Sequence, residues 1–130
     1  HLHRTLANIN SMGARAAVAL NPATPGSAGE HGLDRVDRVV VMSGHPGVGG
    51  QAYIPTMERT VAEGRGRGDA AGVSESVAVE VDGGIGPTTI AGAAAAGANV
   101  LIAGSALYRD PQGLEHAVTE LRALAEAARS

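Results

Sequence analysis

The sequence contains no cysteine, no phenylalanine and no tryptophan, and its only aromatic side chains besides histidine are Tyr53 and Tyr108. Without cysteine there is no disulfide framework and no thiolate metal site. Without large rings the core must be filled by Val, Leu and Ile. Charge of one sign is also scarce: ten basic and 13 acidic residues leave a net charge of −3 with no basic stripe, which argues against a nucleic-acid partner. No long hydrophobic run is present. The Ala-rich stretch 91–98 is too short to span a bilayer, and no signal-peptide pattern occurs. The expectation is a soluble cytoplasmic protein with no membrane partner. The chain begins at His1 rather than at methionine, which fits a fragment.

What is abundant is glycine, 19 residues concentrated in 44–50, 64–72 and 83–86. Clusters of this kind mark special backbone geometry rather than uniform flexibility. Between them run short apolar segments. Leu2, Leu6 and Ile9 recur at helical spacing, and Gly13 follows as a stop. Residues 16–20 form an apolar run ended by Asn21-Pro22, and Val39 to Met42 runs into a glycine-rich loop. A helix is predicted over 56–63 after Pro55, and a weak one over 24–32. Val77 to Asp82 alternates as a strand into Gly83-Gly84. Residues 87–96 read as helix, Asn99 to Ala103 as the last strand, and Pro111 opens a terminal helix. There Leu114, Val118, Leu121 and Leu124 make one apolar stripe. Residues 64–76 are expected to be a flexible loop, and the Arg-Gly-Asp triplet inside them is read as chance.

One helix followed by four strand–helix units implies βαβ crossovers and a parallel sheet whose strands are buried on both faces. The fold class is therefore α/β: the last four βα units, the C-terminal half, of a (β/α)8 barrel. A closed barrel usually needs roughly 250 residues, so 1–130 is expected to be a single partial domain.

In parallel α/β folds, function lies at the carboxyl ends of the strands. Those ends carry Asn21-Pro22, Ser43 to Gln51, Asp82-Gly83-Gly84 and Gly104-Ser105. Gly47, Val48, Gly49 and Gly50 form a loop whose bare backbone suits an anion, although a plain turn has the same composition. Gly104-Ser105 ends the last strand, where such barrels often bind phosphate, and Ser105 can donate a hydroxyl and cap the following helix. Gly83 and Gly84 complete a three-loop cradle. Asp82 ends a buried strand, a position that suits acid/base work or metal ligation as well as loop ordering. His1 and His3 read as solvated, His31 and His116 as surface residues, and Met42 and Met57 as core.

Several ordered motifs then resemble one family. His1-Leu2-His3-Arg4-Thr5-Leu6, Val18-Ala19-Leu20-Asn21-Pro22, Val41-Met42-Ser43 followed by Pro46-Gly47, Gly49-Gly50-Gln51, Glu80-Val81-Asp82-Gly83-Gly84-Ile85 and Ala103-Gly104-Ser105-Ala106 look like ribulose-phosphate 3-epimerase. The resemblance implies an isomerase of the pentose phosphate pathway. It would interconvert D-ribulose 5-phosphate and D-xylulose 5-phosphate by metal-assisted proton transfer at C3, with a divalent metal (Zn, Fe, Mn or Co). It implies Asp82 as the second of two acid/base aspartates and as a metal ligand. Gly47, Val48, Gly49, Gly50, Gly83, Gly84, Gly104 and Ser105 would contact substrate and phosphate. Where the family usually has Asn and Phe in the first glycine loop, this sequence has His45 and Val48, and Gly86-Pro87 replaces a turn that usually contains Asn.

The resemblance also implies that a serine, two metal-binding histidines and the first aspartate come from strands that would precede His1. The 130-residue chain alone is therefore expected to be inactive, and to form a homo-oligomer or to need a missing N-terminal half. Two alternatives stand beside it: an epimerase for a hexulose 6-phosphate, which would share the cradle and Asp82, and a non-catalytic half-barrel that associates with itself or with another half.

Overall fold

Valine-rich runs bounded by glycine and small polar residues become strands, because β-branched side chains pack well on a pleated surface. The computed structural model describes residues 1–21, 36–44, 52–70 and 77–129. Its elements are α1 (Leu2–Ser11), β1 (Ala17–Leu20), β2 (Arg38–Met42), α2 (Met57–Ala70), β3 (Ala78–Asp82), α3 (Ile90–Ala96), β4 (Val100–Ile102), α4 (Ser105–Tyr108) and α5 (Leu114–Ala128). The strands form one parallel sheet in the order β1-β2-β3-β4. This is the α/β half-barrel arrangement that the strand spacing predicts.

The register sorts the side chains into two faces. Val39 pairs with Val79 and Val41 with Val81, and Leu20 pairs with Val41. These residues are buried against Met57 and Val61 of α2 and Ile90, Ala93 and Ala94 of α3. Burying one such side chain contributes about 1.5–3 kcal/mol, so this face is where the fold draws its stability.

The other face differs from the expectation that every strand is covered on both sides. Ala17 and Ala19 are exposed, Val40 is half-buried, and Ile102 is 41% exposed. Only Glu80 is buried there, and Arg38 reaches it across the strands with Nη1 to Oε2 at 2.6 Å. The reason is layering: the helices of the described residues supply apolar cover to one side of the sheet only.

Helix α2 runs to Ala70, past the predicted end at residue 63. Glycines at 64, 66 and 68 lower its intrinsic propensity by nearly 1 kcal/mol each relative to alanine. Tertiary bonds offset that cost. Met57, Val61 and Arg65 share one stripe at i, i+4, i+8, and Arg65 donates Nε to the Gly97 carbonyl at 3.1 Å and Nη1 to the Val77 carbonyl at 3.1 Å. Residues 71–76 of the expected loop, and the predicted 24–32 helix, lie outside the described residues.

At the far end of the chain, Pro111 does not open α5. The Asp110 carboxylate accepts the Gln112 backbone N–H at 2.7 Å, Gly113 N donates to the Asp110 carbonyl, and the helix starts at Leu114. Its buried residues are Ala117, Leu121 and Ala125, while Leu114 is 50% exposed. The alanine-rich α3 presents so little side chain that close helix approach favours alanines on α5 too. No helix among the described residues is long and apolar enough to cross a membrane.

Candidate functional site

Met42, Asp82 and Ile102 are register partners across three adjacent strands, so they form one row at the carboxyl ends on the uncovered face. Above that row the loops are tied to one another. The Ser43 hydroxyl, 1% exposed, donates to the Gly83 carbonyl at 2.6 Å, and Ser43 N donates to the Asp82 carbonyl at 2.9 Å. Ile54 N donates to the Ser43 carbonyl at 2.8 Å, which brings in the segment before α2. The Thr89 hydroxyl donates to the Gly84 carbonyl at 2.8 Å and accepts from Gly86 N at 2.9 Å.

Two glycines are required by this lacing. Gly83 has φ +130° and Gly84 has φ +68°, both in the region that side-chain-bearing residues avoid. A Cβ on Gly83 would overlap the backbone nitrogen of Gly44, and one on Gly84 the backbone nitrogen of Tyr53.

A cavity of about 1040 Å³ opens over the row. Met42, Asp82, Gly83, Gly84, Gly104 and Ser105 all line it, with Tyr53 and Arg109. The structure thus brings together Asp82 and two of the three expected glycine loops. Gly47, Val48, Gly49 and Gly50 lie outside the described residues. Met42 is a half-buried wall of this cavity, while Met57 is buried core.

Ser105 is placed differently from its predicted capping role. Gly104 is the N-cap of α4, Ser105 is the first helical residue, and no side chain caps this helix. Ser105 is exposed at the cavity. Gly104 has φ −113°, and a Cβ there would meet nothing within 4 Å, so no neighbouring atom excludes a side chain at this position.

Tyr53 donates its hydroxyl to Glu58 Oε1 at 3.0 Å. Burial, followed by this hydrogen bond and the charge of Glu58, raises its pKa, so it stays a neutral donor in the cavity wall.

The cavity also reaches Asp110, His116 and Glu120, a cluster that sequence reasoning missed by taking His116 as an ordinary surface residue. The signal was the i, i+4 spacing of His116 and Glu120 on one helix face. His116 Nδ1 lies 2.9 Å from Asp110 Oδ2. The hydrogen bond to Asp110 raises the His116 pKa, and the same bond, with the Gln112 backbone N–H second, lowers that of Asp110. The histidine's contribution is complete below its ordinary value of 6.5 and is lost as pH rises through the raised value. The aspartate's is complete above its ordinary 3.8 and is lost as pH falls through the lowered value. The pair is therefore at full strength between those two ordinary values. Asp110→Asn is expected to bring the His116 midpoint down, as read from the imidazole Hε1 shift in an NMR titration; an unmoved midpoint would discard the pairing.

A divalent cation, the cofactor the sequence resemblance implies, would find one carboxylate in Asp82. Asp82 belongs to no group of three or more His, Asp or Glu side chains among the described residues. These residues do not by themselves complete a metal site around it.

The family model described as the ribulose-phosphate 3 epimerase family matches residues 1–108. The ribulose-phosphate 3-epimerase of Rhodobacter capsulatus is 40% identical over 133 residues, covering 98% of this chain and 56% of the relative. That of Bacillus subtilis (strain 168) is 39% identical over 122 residues, covering 94% of this chain and 55% of the relative. The chloroplastic ribulose-5-phosphate-3-epimerase of Arabidopsis thaliana is 46% identical over 108 residues, covering 83% and 38% respectively. The chain spans about half the length of the curated relatives it matches.

Proposed function

The chain belongs to the ribulose-phosphate 3 epimerase family, and from that premise we propose that it forms the carboxyl-terminal half of an active site that epimerises a pentulose 5-phosphate at C3. The observation that carries this reading is the single cavity that joins Asp82 to Gly83, Gly84, Gly104 and Ser105.

In this proposal the substrate phosphate lies over the bare backbone of the two glycine loops, with the Ser105 hydroxyl as a further donor. Arg109, which lines the same cavity, adds a positive charge against the phosphate dianion. That end anchors the sugar and presents C3 to the row of Asp82. The Asp82 carboxylate takes the C3 proton on one face and becomes a carboxylic acid. The electron pair moves into the C2–C3 bond and the C2 oxygen to give an enediolate. A second acid, supplied from outside this chain, returns a proton to the opposite face, and the configuration at C3 inverts. In the reverse direction Asp82 is the donor. A divalent metal would supply charge stabilisation to the enediolate oxygens, with Asp82 as one of its ligands.

The exposed Ala17, Ala19 and Ile102 favour a cover for the open sheet face. We assign that role to the strands that make up the rest of the relatives' length. With no membrane-crossing helix among the described residues, the cytoplasm is the compartment we propose.

The test joins the N-terminal half of the Bacillus subtilis relative to this chain. The chimera is expected to convert ribulose 5-phosphate to xylulose 5-phosphate in a coupled assay, while the 130-residue chain with added Zn²⁺, Mn²⁺ or Fe²⁺ gives no turnover. A folded chimera without activity would overturn the reading.

A further inference from the structure

We propose that Asp110, His116 and Glu120 form a divalent-cation site on the rim of the cavity, separate from Asp82. Nothing in the proposed epimerisation uses these three side chains. They also lie beyond residues 1–108, the part of the chain that matches the family model.

Three observations support the site. The donor set is the first. One imidazole nitrogen and two carboxylates suit a borderline transition ion such as Zn²⁺, Co²⁺ or Ni²⁺ better than Ca²⁺ or Mg²⁺, which prefer oxygen alone.

Spacing is the second. The three ligand atoms all lie within 4.8 Å of one another, with His116 Nδ1 at 2.9 Å from Asp110 Oδ2 and 3.8 Å from Glu120 Oε2. Ligands held at about 2.1 Å from one ion stand about 3.0 Å apart in octahedral geometry and about 3.4 Å apart in tetrahedral geometry. The two printed separations, 2.9 and 3.8 Å, bracket that range.

Preorganisation is the third. Asp110 Oδ1 is occupied by the Gln112 backbone N–H, which leaves Oδ2 aimed at the imidazole. His116 and Glu120 are held by the same turn of α5. Asp110 is only 12% exposed at its side chain, whereas His116 and Glu120 are 39% and 40% exposed, so an ion has an open approach from one side. Three protein ligands leave coordination positions for water. Because the cluster lines the cavity that also holds Arg109 and Ser105, those positions face the space assigned to the substrate phosphate. The bland alternative is a proton-shared His–Asp clip that fastens the 110–113 turn to α5. A clip has no need of Glu120.

The probe is Co²⁺ added to the full chain, followed by its visible absorption and by calorimetry, with Zn²⁺ as competitor. The wild type is expected to bind one equivalent that is lost, or weakened at least about tenfold, in His116→Ala and in Glu120→Gln. Asp82→Asn is expected to leave that equivalent unchanged, which separates this site from the proposed catalytic one. Should His1, His3 or His31 hold cobalt as well, the His116→Ala difference still isolates the equivalent in question. If His116→Ala loses its helical circular dichroism, Glu120→Gln carries the test, because its side chain is 40% exposed. Absence of saturable Co²⁺ binding overturns the site. So does an equivalent that survives both folded variants, or one removed only by Asp82→Asn.

Discussion

Asp82→Asn in the chimera is expected to lower kcat by about a hundredfold to ten-thousandfold, the range that a positioned acid/base contributes. Asparagine has the shape of aspartate but neither takes nor delivers a proton near neutral pH, so the change removes the chemistry and spares the packing. Asp82 is partly buried in the row with Met42 and Ile102, and its carbonyl is held by Ser43 N through the main chain. The substitution leaves that backbone bond intact. KM should therefore move far less than kcat, because the glycine loops that hold the phosphate are untouched. Loss of C3 hydrogen exchange with solvent, followed by NMR in D₂O, would locate the defect at proton abstraction. A variant within tenfold of its parent in kcat would remove Asp82 from the acid/base role.

The second large effect is on folding. Gly84→Ala is expected to destabilise by about 3 kcal/mol or more, a substantial part of a typical stability of 5–15 kcal/mol. Its φ of +68° already strains an alanine, and the new Cβ would overlap the Tyr53 backbone nitrogen. Main-chain atoms cannot rotate away as a side chain can. Relief would have to pull residues 52–54 from Ser43, breaking the bond from Ile54 N to the Ser43 carbonyl. Urea denaturation of the chimera, or its melting temperature, gives the measurement. Gly104→Ala is the contrast: its φ of −113° is not left-handed and its Cβ meets no neighbour within 4 Å, so its cost should fall well below that of Gly84→Ala. Equal losses at the two positions would contradict the geometry. The pair also separates a glycine kept for the fold from one available for a ligand.

The strands were legible because their signal is local. Val39 to Met42 and Val79 to Asp82 carry enough β-branched and apolar residues, bounded by glycines, to declare themselves without neighbours. Asp82 and the Gly83-Gly84 turn were legible for the same reason, since a strand's end and a positive-φ turn are both written in adjacent residues.

Other features depend on residues far apart in the chain. Arg65 reads as part of a glycine-rich linker, yet its bonds to Val77 and Gly97 carry α2 seven residues beyond the predicted end, from 63 to 70. Leu114 fits the apolar stripe of α5, yet the residues that α5 buries are Ala117, Leu121 and Ala125 instead. The side-chain bonds of Asp37 and Asn99 were not marked in the sequence. Their side chains accept Ala16 N at 3.0 Å and Val79 N at 2.8 Å, and so bracket the amino ends of the strands.

By itself, then, the sequence determined the parallel α/β order and the strand end that carries Asp82, because periodicity and turn chemistry act over a few residues. Only the tertiary structure decided which sheet face is covered and which glycines the fold cannot replace. Those outcomes come from close approach between segments up to some 40 residues apart, as between Ser43 and Gly83, and short-range patterns carry no record of that approach.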